Sequence, residues 1–383
     1  MKLAYIAEIN SKEKNAPQTH IIEIARNLKE FSNEVRIIIP NNGKINYKKD
    51  NMKITYIGLR YLPLSINYLL FNFLLAIYLL FLIVSKKINA IYTRQGSINL
   101  IPPFYSRIFR LPYFTEINGN LEEEMIELKR PNILIKISNF VEYYSYITAK
   151  KIFTVTPNLK KYIVKKYNLN ANKIFIIENG VNPESFRPLN KEWCKNKLSL
   201  DTHINYLCYV GNFAPWQGLE TLIKSFKKVG TGFNNTKLLL VGDGKLRNAL
   251  LNIVNNLRLQ DRIIFVGEVD HKLIPIYIGA SDICIAPFTK KRNERMGSSA
   301  FKMYEYASCG RPIITTHPDF VSKNKCGLCA KADDTTDIAK KIIFLIRNVK
   351  LQKELGRRGR MAIVEGYSWK RVAGRLNKII KAT

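Results

Sequence analysis

The sequence predicts an α/β protein of two domains, each built around its own parallel sheet. Three observations carry this. Short runs rich in Ile, Val and Leu alternate with longer segments of helical period along the chain, which is the pattern of parallel strands joined by helices. The 383 residues exceed what one hydrophobic core usually serves. The alternation also falls into two series, the second beginning near residue 206.

Residues 3–7 read as the first strand, so a secretory leader is not expected there. Residues 20–29 read as a helix with Ile21, Ile24, Ala25 and Leu28 on one face. Strands follow at 35–39, ended by Pro40, and at 54–57, 90–93, 113–117, 152–156 and 174–177. Helices are expected at 102–109 and 133–149, with a short one before 174–177. In the second series, 206–210, 237–241, 263–266 and 283–287 read as strands. Residues 219–229, 246–255, 271–280 and about 300–308 read as helices, and 313–314 opens a further strand.

Residues 69–84, LLFNFLLAIYLLFLIV, carry one polar side chain, Asn72. A spanning helix needs about twenty apolar residues. This run is shorter and is followed at once by Lys86, Lys87 and a strand. A helix buried against a sheet is favoured over a span, with one face able to dip into lipid.

A hydrophobic fraction of 46% fits a globular chain, not a disordered one. The net charge is +31. Between 129 and 173 ten Lys or Arg face one acid, Glu142, with Phe140, Tyr143, Tyr144 and Tyr146 among them. Bases mixed with aromatics suit an anionic membrane surface or a nucleic acid, or simply a solvated helix face. No nucleic-acid recognition motif accompanies the charge, so no nucleic-acid partner is expected. The six cysteines are scattered. Cys208 and Cys284 fall in apolar strands, and the Cys326–Cys329 spacing lacks the second pair that a zinc site needs. These features fit a reducing cytoplasm.

The most informative segment is 281–316, SDICIAPFTKKRNERMGSSAFKMYEYASCGRPIITT. A strand runs into a polar loop with Lys290, Lys291, Arg292 and Arg295, and then Ser298 and Ser299 precede a helix. The first amides of a helix lack internal partners and sit at the positive end of its dipole, which makes an anion seat suited to phosphate. Glu305, one and a half turns in, is placed to accept hydrogen bonds from sugar hydroxyls. The alternative is an ordinary βα unit with a surface Glu.

Ser299-Ala-Phe-Lys302-Met-Tyr-Glu305-Tyr-Ala-Ser-Cys-Gly-Arg-Pro312 resembles the donor-binding motif of retaining glycosyltransferases of GT-B fold, specifically glycosyltransferase family four, group 1. Residues 174–188, IFIIENGVNPESFRP, resemble that family's passage between domains, and 365–371 its final stretch. The resemblance implies two doubly wound, Rossmann-like domains facing a cleft. It places an acceptor-side domain at 1–182 and a donor-binding domain at 183–366, with a C-terminal helix, about 367–383, crossing back to the first.

Site residues follow from the same resemblance. Many members carry a second glutamate eight positions before the one matching Glu305, where this chain has Gly297. Glu294 in the same loop is the candidate to replace it. The family clamps the donor diphosphate with an Arg and a Lys in the stretch matching 209–220. Those neighbourhoods hold Asn212 and Gln217, beside Gly211. Positive charge must then come from elsewhere, with Lys302, Arg295, Arg292 and Lys291 as candidates. Gly242 and Gly267 end strands where donor contacts are expected, and the resemblance implies that 267–269, with Val269, pass near the nucleobase. In the first domain His20 lies where members have a glycine-rich loop and a His. Glu116 and Asn118 end a strand and are the candidate catalytic groups there.

The expected activity is transfer of a sugar from a nucleotide diphosphate sugar to a glycan or lipid-linked acceptor, with retention. The expected setting is the cytoplasm, peripheral on the inner face of the cell membrane. No catalytic metal and no cofactor are expected, because no DxD pair follows a strand. Two rival readings stand beside this one. The first is a GT-B homologue that binds sugar nucleotide or membrane without turnover. The second is a GT-B sugar-nucleotide epimerase.

Overall fold

The structure, a computed structural model, describes residues 1–9, 16–31, 33–43, 52–96, 99–230, 232–296 and 299–382, with the backbone alone at 16, 64, 65, 127, 295 and 296. The chain forms two compact units, residues 1–179 with 369–383, and residues 180–368.

The first unit carries β1 (Lys2–Ala7), β2 (Glu34–Pro40), β3 (Lys53–Ile57), β4 (Ala90–Arg94), β5 (Tyr113–Ile117), β6 (Lys151–Thr154) and β7 (Ile174–Ile176). They form one sheet in the order β3-β2-β1-β4-β5-β6-β7. Every ladder is parallel. The strands read as unbroken apolar runs because both faces of such a sheet are covered. Leu3 to Ala7 are all at most 3% exposed. The winding reverses between β1 and β4, and ligands of open α/β sheets collect at the strand carboxyl ends beside such a point.

Helix Leu64–Val84 is held to this sheet as the sequence predicts. Phe71, Leu75, Leu79 and Leu82 are buried in one core with Ala4, Ile6, Ile38 and Ile91. Its buried polar residue is satisfied: Asn67 Oδ1 accepts from the Leu59 amide at 3.0 Å and Nδ2 donates to the Asn41 carbonyl at 3.2 Å. The C-terminal helix Trp369–Lys381 belongs to the first unit. It packs on helix Ala16–Lys29. Asn33 Nδ2 donates to Asn377 Oδ1 at 2.8 Å, and Lys381 Nζ to the Phe31 carbonyl at 3.0 Å.

The second unit carries β8 (Asn205–Val210), β9 (Thr236–Val241), β10 (Ile263–Gly267), β11 (Ile283–Ala286), β12 (Ile313–Thr315) and β13 (Gly327–Cys329). Their order is β10-β9-β8-β11-β12-β13, again parallel, with the reversal between β8 and β11. Where the chain enters and leaves this unit, the Val181 amide donates to the Tyr367 carbonyl at 3.0 Å. Two features depart from expectation. β13 is too short to show an apolar run. The expected loop after β11 contains a helix, Lys290–Met296, because its Lys, Arg and Glu residues are good helix formers and Lys290 pairs with Glu294 one turn on.

Three strand ends of the second unit are strapped together by backbone. The Gly211 amide donates to Val241 at 2.9 Å and the Gly242 amide to Gly267 at 2.8 Å. Gly242 has φ +128°, and a Cβ there would lie 2.1 Å from the Gly211 carbonyl oxygen. Gly242→Ala is therefore expected to cost the second unit about 3 kcal/mol. Gly232→Ala, where a Cβ meets nothing within 4 Å, should stay within about 0.5 kcal/mol. Urea denaturation of both variants checks this.

Candidate active site

In the second unit the polar residues gather at the carboxyl ends of β8 and β11 and the start of helix Phe301–Ser308. Ala300 offers that helix no side-chain cap. Lys302, in its first turn, is 8% exposed. Its Nζ donates to Gln217 Oε1 at 2.9 Å and lies 3.9 Å from the centre of the Tyr209 ring. Gln217 Nε2 in turn donates to Asn212 Oδ1 at 3.2 Å. Gly211 leaves the room this needs, since a Cβ there would stand 2.7 Å from Lys302 Nζ. Lys302, Gln217, Asn212 and Gly211 are thus one cluster, although 85 residues separate Gln217 from Lys302.

A second cation is beside it. The Arg292 guanidinium stacks 4.0 Å over the Phe288 ring, and its Nη1 is buried with no hydrogen-bond partner among the described residues. Burial holds the Arg292 pKa down to about 10. Burial also pushes Lys302 well below the usual lysine range, and the Arg292 charge adds to this while Glu305 opposes it. Among the described residues no carboxylate pairs with Lys302 within 4 Å. Two close, desolvated positive charges with no paired carboxylate among the described residues suit an anionic ligand.

Glu305 is 8% exposed, with Oε1 3.4 Å from His271 Nε2. Ser299 Oγ is 3.1 Å from Tyr304 Oη. Gly267, at φ +83°, has open space where a Cβ would sit, and Val269 is packed at the core edge. Ser298 and the Arg295 side chain lie outside the described residues. Glu294 is mostly exposed, 3.9 Å from Lys290 Nζ, and it is not among the charges acting on Lys302. The structure therefore does not bring it to this cluster, because helix Lys290–Met296 turns Arg292 inward and Glu294 out.

In the first unit Glu116, at the end of β5, is 4% exposed. It is surrounded by His20 Nε2 at 2.7 Å, the Tyr92 hydroxyl at 2.6 Å and Asn118 Nδ2 at 2.5 Å. His20 Nε2 and Glu116 Oε1 are in direct contact and pair when the ring carries its proton. His20 Nδ1 lies 2.8 Å from Asn179 Oδ1, and its ring meets Trp369 edge-on at 5.4 Å. Burial alone would raise the Glu116 pKa, but His20, Arg94 and Tyr92 outweigh it and hold the carboxyl at about 2. Such a group rests as a carboxylate at neutral pH and holds His20 and Asn118 in place. Asn118 itself remains partly exposed.

Sequence reasoning named Arg292 among the candidate cations, but it missed the inward stacking of Arg292 on Phe288 and the places of His271, Tyr209 and Asn179. Among the described residues no group of three His, Cys, Asp or Glu is placed to hold a metal ion.

Two doubly wound parallel units, with the last helix returned to the first, define the GT-B class. Comparison with known proteins agrees. The family model described as Glycosyl transferases group 1 matches residues 190–362, and that described as Glycosyltransferase Family 4 matches 17–185. The chain belongs to the group 1, family 4 glycosyltransferases. It is 25% identical over 394 residues to a glycosyltransferase of Methanocaldococcus jannaschii, covering 95% of this chain and 94% of that one. It is 25% identical over 189 residues to N-acetyl-alpha-D-glucosaminyl L-malate synthase of Bacillus anthracis, covering 48% of this chain and 47% of that one. A capsular polysaccharide biosynthesis glycosyltransferase of Staphylococcus aureus, CapM, matches at 24% over 63% of this chain and 65% of its own. Among solved structures, sucrose-phosphate synthase from Thermosynechococcus elongatus superposes with a TM-score of 0.78 at 16% identity, over 100% of this chain and 99% of that one. Anabaena HepE in complex with UDP and glucose gives 0.78 at 14%, over the whole of both.

Proposed function

We propose that this glycosyltransferase moves a sugar from a nucleoside diphosphate sugar, held by the second unit, to a glycan or lipid-linked acceptor on the first, with retention of configuration. The observation that carries this is the close Lys302–Arg292 pair, in which no carboxylate pairs with Lys302 and Arg292 Nη1 has no hydrogen-bond partner among the described residues. A diphosphate supplies the missing negative charge, and in the reaction the same cations stabilise the charge that grows on it as it leaves. Glu305 holds the ribose hydroxyls, and Gly267 and Val269 border the base.

The C1–O bond to the diphosphate breaks as a C1–O bond to the acceptor hydroxyl forms on the same face. The acceptor proton passes to a departing phosphate oxygen, so no protein base is required. The low pKa of Glu116 supports this, because it makes that buried carboxylate a weak base. Because two protein cations face the diphosphate, donor binding is expected to need no divalent metal. The net charge of +31 supports a cytoplasmic chain peripheral on an anionic membrane.

Thermal-shift titration with UDP, GDP and their sugar conjugates tests the reading, with UDP first because HepE is solved with it. One nucleotide should raise the Tm of wild type, unchanged by EDTA, and leave Glu305→Ala unmoved. No response from folded wild type would overturn the donor assignment. Conversion of the donor to an isomeric sugar nucleotide would replace transfer by epimerisation.

A further inference from the structure

We infer that the outer face of three neighbouring helices of the first unit, Leu64–Val84, Ile101–Ile108 and Asn132–Thr148, seats in the surface of an anionic lipid bilayer without spanning it. This deepens the membrane placement proposed above and rests on it, but not on the donor assignment.

The three helices share one core on one side of the sheet, and the middle one touches both others. Their outward surfaces are apolar. On the first, Phe73 is 66%, Ile77 57% and Phe81 51% exposed. Phe104 and Ile108 are exposed on the second, and Ile137 and Phe140 on the third. Single exposed apolar residues are ordinary, but a surface continued across three adjacent helices marks a binding face. The first helix alone is long and apolar enough to cross a bilayer. It cannot do so in this fold, because its other side is the core of the first unit, with Phe71, Leu75 and Leu79 fully buried. Lying flat, its 21 residues present about 31 Å of apolar surface at interfacial depth.

Charge identifies the occupant. These helices end where β4, β5 and β6 begin, so their carboxyl ends share one edge of the parallel sheet. Exposed Lys86, Lys87, Arg107, Arg110 and Lys150 collect on that edge. Between the second and third helices lies a groove of about 480 Å³ lined by Arg107, Arg110 and Lys150, with no carboxylate in its lining. Thr148 Oγ1, also in that lining, is buried with no hydrogen-bond partner among the described residues. A phospholipid headgroup phosphate would meet Arg107, Arg110 and the Thr148 hydroxyl together. A second copy packed on the same face would bring the same cationic edge against its like.

Flotation of the full chain with vesicles tests this. Wild type should float with phosphatidylcholine vesicles containing phosphatidylglycerol and only weakly with phosphatidylcholine alone. Phe73→Glu/Ile77→Glu/Phe81→Glu, at exposed positions, should keep its fold and lower the partition coefficient at least ~100-fold, at low and high salt alike. Ile77→Ser with Phe140→Ser serves if that variant fails to fold, with a fall of about tenfold or more. Arg107→Glu/Arg110→Glu should remove only the phosphatidylglycerol-dependent part, by about tenfold or more. UDP thermal shifts should be the same in every variant, so failure of the donor reading shows separately. A folded triple variant that floats like wild type overturns the proposal. So does a wild-type dimer in sedimentation that the triple variant dissolves, which would make a second copy the occupant.

Discussion

Lys302→Met should give a more stable protein that holds its donor far more weakly. The Lys302 ammonium is desolvated, faces Arg292 and, among the described residues, donates to a neutral amide, Gln217. A thioether of similar length removes that unfavourable charge, for an expected gain of about 1 kcal/mol or more. A lost charge-assisted contact to phosphate costs about 2–3 kcal/mol, or ~30–150-fold in nucleotide affinity.

The pH dependence is specific. A lysine whose pKa is depressed on folding leaves the folded state with fewer protons than the unfolded chain between the depressed value and 10.5. Wild-type stability should rise with pH in that window, and the Met variant should lack that rise. Donor binding restores the proton, so wild-type affinity should fall as pH climbs through the depressed value. Calorimetry in buffers of different ionisation enthalpy would read the proton uptake. A Lys302→Met variant of unchanged affinity would remove this residue from the site.

Glu116→Gln should cost the first unit about 3 kcal/mol at neutral pH. The wild-type carboxyl titrates at about 2 in the fold against 4.5 as a free side chain, and every tenfold change in proton affinity is worth about 1.4 kcal/mol. The pKa is depressed on folding, so this stability is fully present above about pH 4.5 and is lost as pH falls toward 2. The variant should show a flatter acid limb, with the difference between the two proteins closing at low pH. Denaturant melts of the first unit's transition at pH 7, 4 and 3 check this. A constant difference across that range would mean that Glu116 acts through packing and not through its charge.

All strands but the three-residue β13 were legible, because they are short, largely apolar runs in a parallel sheet covered on both faces, and local sequence sees such runs directly. The segment 299–312 was legible for a related reason: strand end, first helical turn and Glu305 follow one another along the chain. Helix Lys290–Met296 was not, because its charges look like a loop until the inward turn of Arg292 against Phe288 is known. The mechanistic weight of Glu116 could not be read either. A carboxylate at a strand end serves equally well as a base or as a buried anchor. What decides is its enclosure by His20, Tyr92 and Asn118, the first two brought from other strands and helices of the unit.

The class of fold, the apolar helix at 69–84 and the family are all written in contiguous stretches with a fixed period or spacing, so the order of residues was enough to give them. Which charges meet came from the three-dimensional packing alone. It set Lys302 on Gln217 beside Arg292, turned Glu294 to solvent, and gave helix Leu64–Val84 one face in the core and the other outside. The physical reason is that electrostatic and packing energies depend on distance and on exclusion of water, and neither is encoded by position along the chain.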